Sequence, residues 1–216
     1  MKVRLISYTT PTDEMKNDGV ETAKDLVAFV ARVSNPSNQL NTATSSKLIA
    51  YLIQHKHWSP LELVDMTMEI ETTRDIARQI LRHRSFSFQE FSQRYADPTT
   101  LPYEIREARL QDPKNRQGSI DVKDDDLQKL WAHVQKLTWD LAIGSYKWAL
   151  DNGIAKEVAR SVLPEGMTTT RLYMKGSLRS WLHYLDVRST IAGGTQKEHR
   201  DIALAIAEVV QKNFSL

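Results

Sequence analysis

Residues 82 to 95, Arg-His-Arg-Ser-Phe-Ser-Phe-Gln-Glu-Phe-Ser-Gln-Arg-Tyr, place three arginines, a histidine, a glutamate and three serines in fourteen positions. Crowded guanidinium groups repel one another unless an anion sits among them. Arg74 and Arg78 extend the cluster upstream, against only Asp75 and Glu90 as local acids. A helix over 75–84 would put Arg78 and Arg82 on one face, with Gln79 beside Arg82 and His83. Ile76, Ile80 and Leu81 would point the other way, into a core. Arginine forks bind phosphate bidentately, and Ser85, Ser87 and Ser92 add short donors. A plain solvated charged face at a helix C-terminus is the competing reading. The polar run continues past the helix and alternates with aromatics, which favours a ligand. Over "SFSFQEFSQRY" an extended chain would put Phe86 and Phe88 on one side and Ser87, Gln89, Phe91 and Gln93 on the other, with Tyr95 expected beside the two phenylalanines where the strict alternation ends. Arginines with exposed aromatics also suit single-stranded nucleic acid.

Composition narrows the choice. The chain has 216 residues and a formal net charge of +2, so any basic patch is local and a general nucleic-acid coat is not expected. With no cysteine, disulfides, thiolate metal sites and cysteine nucleophiles are excluded. His55 and His57 could share a side of an extended chain, but no third ligand is evident, so no metal is expected. The first residues lack a signal-peptide core, and no apolar run approaches the ~20 residues of a membrane span. A soluble, cytoplasmic protein without membrane or nucleic-acid partners is expected.

The elements that must position these residues follow from periodicity. Strands are expected at "VRLISY", "LELVDMTMEIETT" and "MTTTRLYMKG". Helices are expected at "ETAKDLVAFVARVS", "SSKLIAYLIQH" (stopped by "WSP"), "DIARQILRHR", Asp124 to Asp151, "IAKEVARSVL", "SLRSWLHYLDVR" and "KEHRDIALAIAEVVQKNF". In "SLRSWLHYLDVR", Leu178, Trp181, Leu182 and Leu185 form the core stripe, and Ser177, Tyr184 and Arg188 share another line. Residues 96 to 122 read mostly as loop. The order predicts an α+β (mixed α/β) fold: one domain over 1–216 with a modest sheet flanked by several helices. No G-x-G-x-x-G occurs, and Ala-Gly-Gly-Thr at 192–195 does not replace it, so the fold is non-Rossmann.

Arg82, His83, Arg84, Ser87, Glu90, Ser92, Arg94 and Tyr95 match R-H-R-x-x-S-x-N-E-x-S-x-R-Y, with Gln89 where that pattern has Asn. The stretch resembles the signature of the flavin-dependent thymidylate synthases. "HWSPLE", "EVARSVLP" and "SLRSWLHYLDVR" resemble three further elements of that family, although Leu63 stands where a histidine is usual and none closely follows Arg188. The resemblance implies methylation of dUMP to dTMP, with methylenetetrahydrofolate as one-carbon donor and NADPH reducing a bound FAD. It implies a dUMP pocket of Gln79, Ile80, Leu81, Arg82, Glu90, Phe91, Ser92, Gln93, Arg94, Arg160 and Arg188. It assigns FAD to His57, Ser59, Arg82, His83, Arg84, Gln89, Glu90, Ser177, Arg179 and His183. Arg188 is the implied catalytic group, activating uracil electrostatically where no thiolate can add to the ring. The family is homotetrameric, with active sites shared between subunits.

Overall fold

The computed structural model describes residues 1–190 and 194–214; Ala192 and Gly193 of the Ala-Gly-Gly-Thr run lie outside the described residues. Strand β1 (Lys2–Tyr8) is followed by α1 (Asp13–Asn17), α2 (Ala23–Ala31) and α3 (Ser45–Gln54). Next come β2 (Asp65–Thr73), α4 (Arg74–Ile80) and β3 (Ser87–Glu90), then the small hairpin β4 (Arg109–Gln111) and β5 (Ser119–Asp121). Helices α5 (Asp125–Asp151) and α6 (Lys156–Ala159) lead to β6 (Thr169–Ser177), α7 (Leu178–Arg188) and α8 (Lys197–Phe214).

The main sheet has the order β1-β2-β6-β3 and is antiparallel throughout. Alternation along its two central strands explains its two faces. Met66, Met68 and Ile70 on β2 and Leu172 and Met174 on β6 are wholly buried. They pack with Ile76 and Ile80 of α4, Leu178, Trp181 and Tyr184 of α7, and Ile202, Ile206 and Phe214 of α8. The other face is polar and laced by charge: Tyr173 donates to Glu69 at 2.7 Å, and Arg171 pairs with Glu71 at 2.6 Å. An α+β fold with a modest sheet flanked by helices is what the sequence pattern predicts.

Four local expectations change. α3 ends before the Trp-Ser-Pro, because Lys56 takes a left-handed conformation (φ 57°) two residues after Gln54. α4 stops at Ile80, so Arg82 and His83 lie beyond it and Arg82 shares no helix face with Arg78. "IAKEVARSVL" is helical only over Lys156–Ala159 and tightens to a 3-10 turn at Arg160–Val162. The loop at 96–122 contains the hairpin of β4 and β5.

Phe86 accounts for the early end of α4. It is buried against Trp181, with ring centroids 4.7 Å apart. A Cβ at Gly176 would come within 2.4 Å of the Phe86 ring, so the glycine makes its seat. The apolar face of α4 and the anchor at Phe86 force residues 81–85 into a tight turn. His83 N bonds to Ile80 O at 3.0 Å and Phe86 N to His83 O at 3.3 Å within it.

Candidate active site

That turn displays Arg82 and Arg84 outward and turns His83 inward. His83 meets Arg188, the last residue of α7, where the helix dipole favours a cation. Arg188 Nε donates to His83 Nε2 at 3.0 Å, so Nε2 is bare and the ring proton sits on Nδ1. Burial, and then the Arg188 charge, hold the His83 pKa down at about 4, so the ring is neutral at pH 7. The Tyr184 ring stacks edge-on against His83 at 4.9 Å.

Most of the residues expected to hold the flavin lie on the arginine turn, along α7 and on the loop before β2. Glu62 binds the loop carrying His57 and Ser59 to the start of α7: it accepts from Ser177 Oγ at 2.5 Å and Arg179 Nη1 at 2.6 Å. These two donors, Ser177 first, hold the Glu62 carboxyl below its usual pKa against the opposing effect of burial. Ser180 Oγ donates to Ser85 O at 3.2 Å, tying the arginine turn to the same helix end. His57, Ser59 and His183 are exposed.

The far end of β3 forms a second cluster. Glu90 Oε1 accepts from Thr170 Oγ1 at 2.9 Å and Arg74 Nη1 at 3.2 Å. A cleft of about 530 Å³ is lined by Ser92, Arg94, Tyr95, Ala155, Lys156 and Glu157. Arg94 Nε lies 3.6 Å from Glu157 Oε2, and Arg160 Nε donates to Glu157 O at 3.4 Å, so both arginines converge on one turn. Lys156, which the sequence reading did not single out, adds a third cation there. Gln89, Glu90, Phe91 and Ser92 line an adjoining cleft of about 480 Å³ with Arg171 and Tyr173. Gln93 is buried, and its Nε2 has no partner among the described residues.

The chain therefore holds the expected residues in two groups, separated by the length of β3, roughly 10 Å at the usual strand rise. Ile80 is wholly buried and so presents no surface to a ligand within this chain, and Leu81 is half-buried. The strand alternation reaches only to Glu90, after which Tyr95 is 88% exposed and Gln93 buried.

The arginines sort by their partners. Arg74 pairs with Glu90, Arg78 with Glu165 and Arg179 with Glu62. Among the described residues no carboxylate lies within ion-pair distance of Arg82, Arg84, Arg160 or Arg188. Their unmatched charge suits an anionic ligand.

Sequence reasoning missed His199, Gln196 and the inward role of Tyr184. His199 is wholly buried, and its ring bonds Tyr184 and Gln79. Its signal was its spacing with Ile202 and Ile206 on the buried stripe of α8, a histidine on an apolar face.

Fold and site thus define an α+β protein with an antiparallel main sheet and two arginine-bearing clusters, one at the turn after α4 and one beyond β3. Residues 15–214 match the family described as "Thymidylate synthase complementing protein". The chain is 52% identical over 215 residues to a flavin-dependent thymidylate synthase of Synechocystis, covering 99% of this chain and 96% of that one. It is 49% identical over 214 residues to a probable flavin-dependent thymidylate synthase of Paramecium bursaria Chlorella virus 1, covering 99% and 95%. Among solved structures it is similar to the UMP/dUMP methylase PolB of Streptomyces cacaoi bound with 5-Br dUMP, with TM-score 0.81, 26% identity and coverage of 98% and 90%. The chain belongs to the flavin-dependent thymidylate synthase family.

Proposed function

We propose that this protein methylates dUMP at carbon 5 of uracil: dUMP, methylenetetrahydrofolate, NADPH and a proton give dTMP, tetrahydrofolate and NADP⁺. The observation that carries the reading is the set of guanidiniums at Arg82, Arg84, Arg160 and Arg188 without carboxylate partners, in a chain of this family. The relative bound with 5-Br dUMP supports a pyrimidine nucleotide as ligand.

The donor set fits FAD. Arg82 and Arg84 offer unmatched charge for its pyrophosphate, and His57, Ser59 and His183 are exposed polar groups that would join them, while Ser177 and Arg179 already donate to Glu62. When bound, FAD supplies the two electrons that take the one-carbon unit from the methylene to the methyl level. In the second cluster, Arg94 and Arg160 would take the dUMP phosphate, with Ser92 beside them. Ser92 is a binding group in this reading, since among the described residues no histidine–carboxylate pair is found to activate it.

Arg188 does the chemistry-bearing work. A thiolate cannot saturate the uracil ring here, because the chain has no cysteine. Carbon 5 becomes nucleophilic only if negative charge is drawn onto the N3/O2 edge, and a fixed cation there stabilises it. The bond from Arg188 to neutral His83 fixes the guanidinium plane without cancelling its charge. A carboxylate in that place would have neutralised it.

Separation of the two clusters within one chain supports sites completed by a second copy, in a homotetramer. α5 supports the same assembly. Leu130, Val134, Leu137, Leu141 and Trp148 repeat at spacings of three, four and seven, and all are exposed. That is a seam for another helix. The rival, a single-stranded nucleic-acid platform, loses two of its three aromatics: Phe86 is buried and Phe88 packs on the core, which leaves Tyr95 alone exposed among them.

The test is titration of apoprotein with FAD, followed by flavin fluorescence, then dTMP formation from the complete mixture. Saturable quenching and dTMP are expected. Salt-sensitive binding to single strands without either would favour the rival.

A further inference from the structure

Tyr184, His199, Gln79 and Gln196 form one hydrogen-bonded chain beside the Arg188–His83 pair, and the reaction described above makes no use of His199. Its Nε2 lies 3.0 Å from Tyr184 Oη, and its Nδ1 lies 3.2 Å from Gln79 Oε1. Gln79 Nε2 donates to Gln196 Oε1 at 2.8 Å. The rings of His83 and His199 are 6.2 Å apart, which brings Gln79 into the neighbourhood of Arg188.

Each link has a direction, and Tyr184 sets it. The Tyr184 side chain is wholly buried, and among the described residues His199 Nε2 is the one hydrogen-bond partner of its hydroxyl. If His199 carried its proton on Nε2, the phenol hydrogen would have no acceptor, and buried donors are rarely left so. Nε2 therefore accepts, and the ring proton sits on Nδ1. An Nδ1–H can be given to the carbonyl end of Gln79 and not to its NH₂ end. Flipping the Gln79 amide would set two donors against each other. Gln79 Nε2 spends one hydrogen on Gln196 and keeps one.

We propose that Tyr184 and His199 are positioning residues that lock the Gln79 amide as a hydrogen-bond donor toward an acceptor oxygen of the bound nucleotide. The inference rests on the dUMP reading. Burial, then the Arg188 charge, hold the His199 pKa down at about 3, so no second ring proton reverses the chain at neutral pH. Burial pushes the Tyr184 phenol up, which keeps its hydrogen in place.

The lock is read first without substrate, by long-range ¹H–¹⁵N NMR of protein labelled at histidine. The His199 signal is assigned by its loss in His199→Asn. A neutral ring protonated at Nδ1 is expected at pH 7, and an Nε2–H ring or an imidazolium would overturn the proposal. Dissociation constants for dUMP then test its use. In His199→Asn the side-chain NH₂ can stand where Nδ1–H stood, and affinity should stay within about 3-fold of the parent. His199→Leu should weaken dUMP by about 5- to 10-fold, the size of one neutral hydrogen bond, with KM raised and kcat retained. Equal affinities in the Asn and Leu variants would overturn it. If the Leu variant does not fold, Gln79→Glu is measured instead: it removes the N–H at constant shape, and unchanged dUMP affinity overturns the proposal. A parent protein that does not bind dUMP would sink the functional reading, and the tautomer would still decide the lock.

Discussion

Acid should destabilise this protein well above the range in which carboxylates titrate. His199 is wholly buried with its pKa at about 3, and His83 is half-buried at about 4, against 6.5 for an ordinary imidazole. Burial is the larger cause for both, and the Arg188 charge the next. The folded state thus refuses protons that the unfolded chain accepts below pH 6.5. Stability is full above that pH, falls as pH drops through it, and levels off only below the folded values. From pH 7 to pH 5 the linkage relation gives a loss of about 2 kcal/mol for His199. His83 adds less than that once screening of its exposed edge is allowed for. Glu62, Glu69 and Asp75 have lowered pKa values, so their stabilising contributions are lost only below the ordinary carboxylate range and stay out of this window. Urea unfolding at pH 7, 6 and 5, at one fixed protein concentration, measures the loss. His199→Asn should remove about 2 kcal/mol of it. A free energy of unfolding that is flat from pH 7 to 5 would refute the reasoning, because both rings would then have to be solvated or already charged.

Arg188→Ala should keep FAD binding and folding but slow methyl transfer by ~100-fold or more in single turnover at saturating dUMP and folate; Arg188→Lys should recover only part, lacking the planar fork. Substituting Arg94 or Arg160 with Ala should chiefly weaken dUMP binding, measured by isothermal titration, since the phosphate is held alike in ground and transition states. Gly176→Ala drives a methyl group to 2.4 Å from the Phe86 ring and should cost about 1–3 kcal/mol in urea unfolding, with the arginine turn disturbed. Mixed oligomers of His57→Ala and Arg188→Ala subunits should regain activity if those residues meet across chains.

The larger elements were legible because their signals are physical. Alternation marked β2 and β6, and 3.6-residue spacing marked α5, α7 and α8. The end of α4 was not legible. It is set by Phe86 seated over Gly176 across the sheet, a contact between residues 90 apart in sequence that periodicity along α4 does not carry. The hairpin of β4 and β5 hid in a polar stretch where each strand has three residues, too few for a pattern. For the site, the residue types around Arg82 to Tyr95 marked a place for an anion, but not which arginines would be left for it. Arg78 reads like Arg82 in the sequence, yet Glu165, 87 residues away, takes it. His199 lay hidden in a helix face that looked like core, because its partners Tyr184 and Gln79 come from two other elements.

If this chain makes dTMP from dUMP by flavin chemistry without a thiolate, with uracil activated by Arg188, the most direct test is a single-turnover reaction of the purified, FAD-loaded protein reduced with NADPH, given dUMP and methylenetetrahydrofolate and analysed for dTMP by chromatography. dTMP should appear in step with flavin reoxidation, with the rate collapsing in Arg188→Ala. Reduced flavin that reoxidises without forming dTMP, or dTMP formed at the parent rate by the Arg188→Ala variant, would contradict that reading.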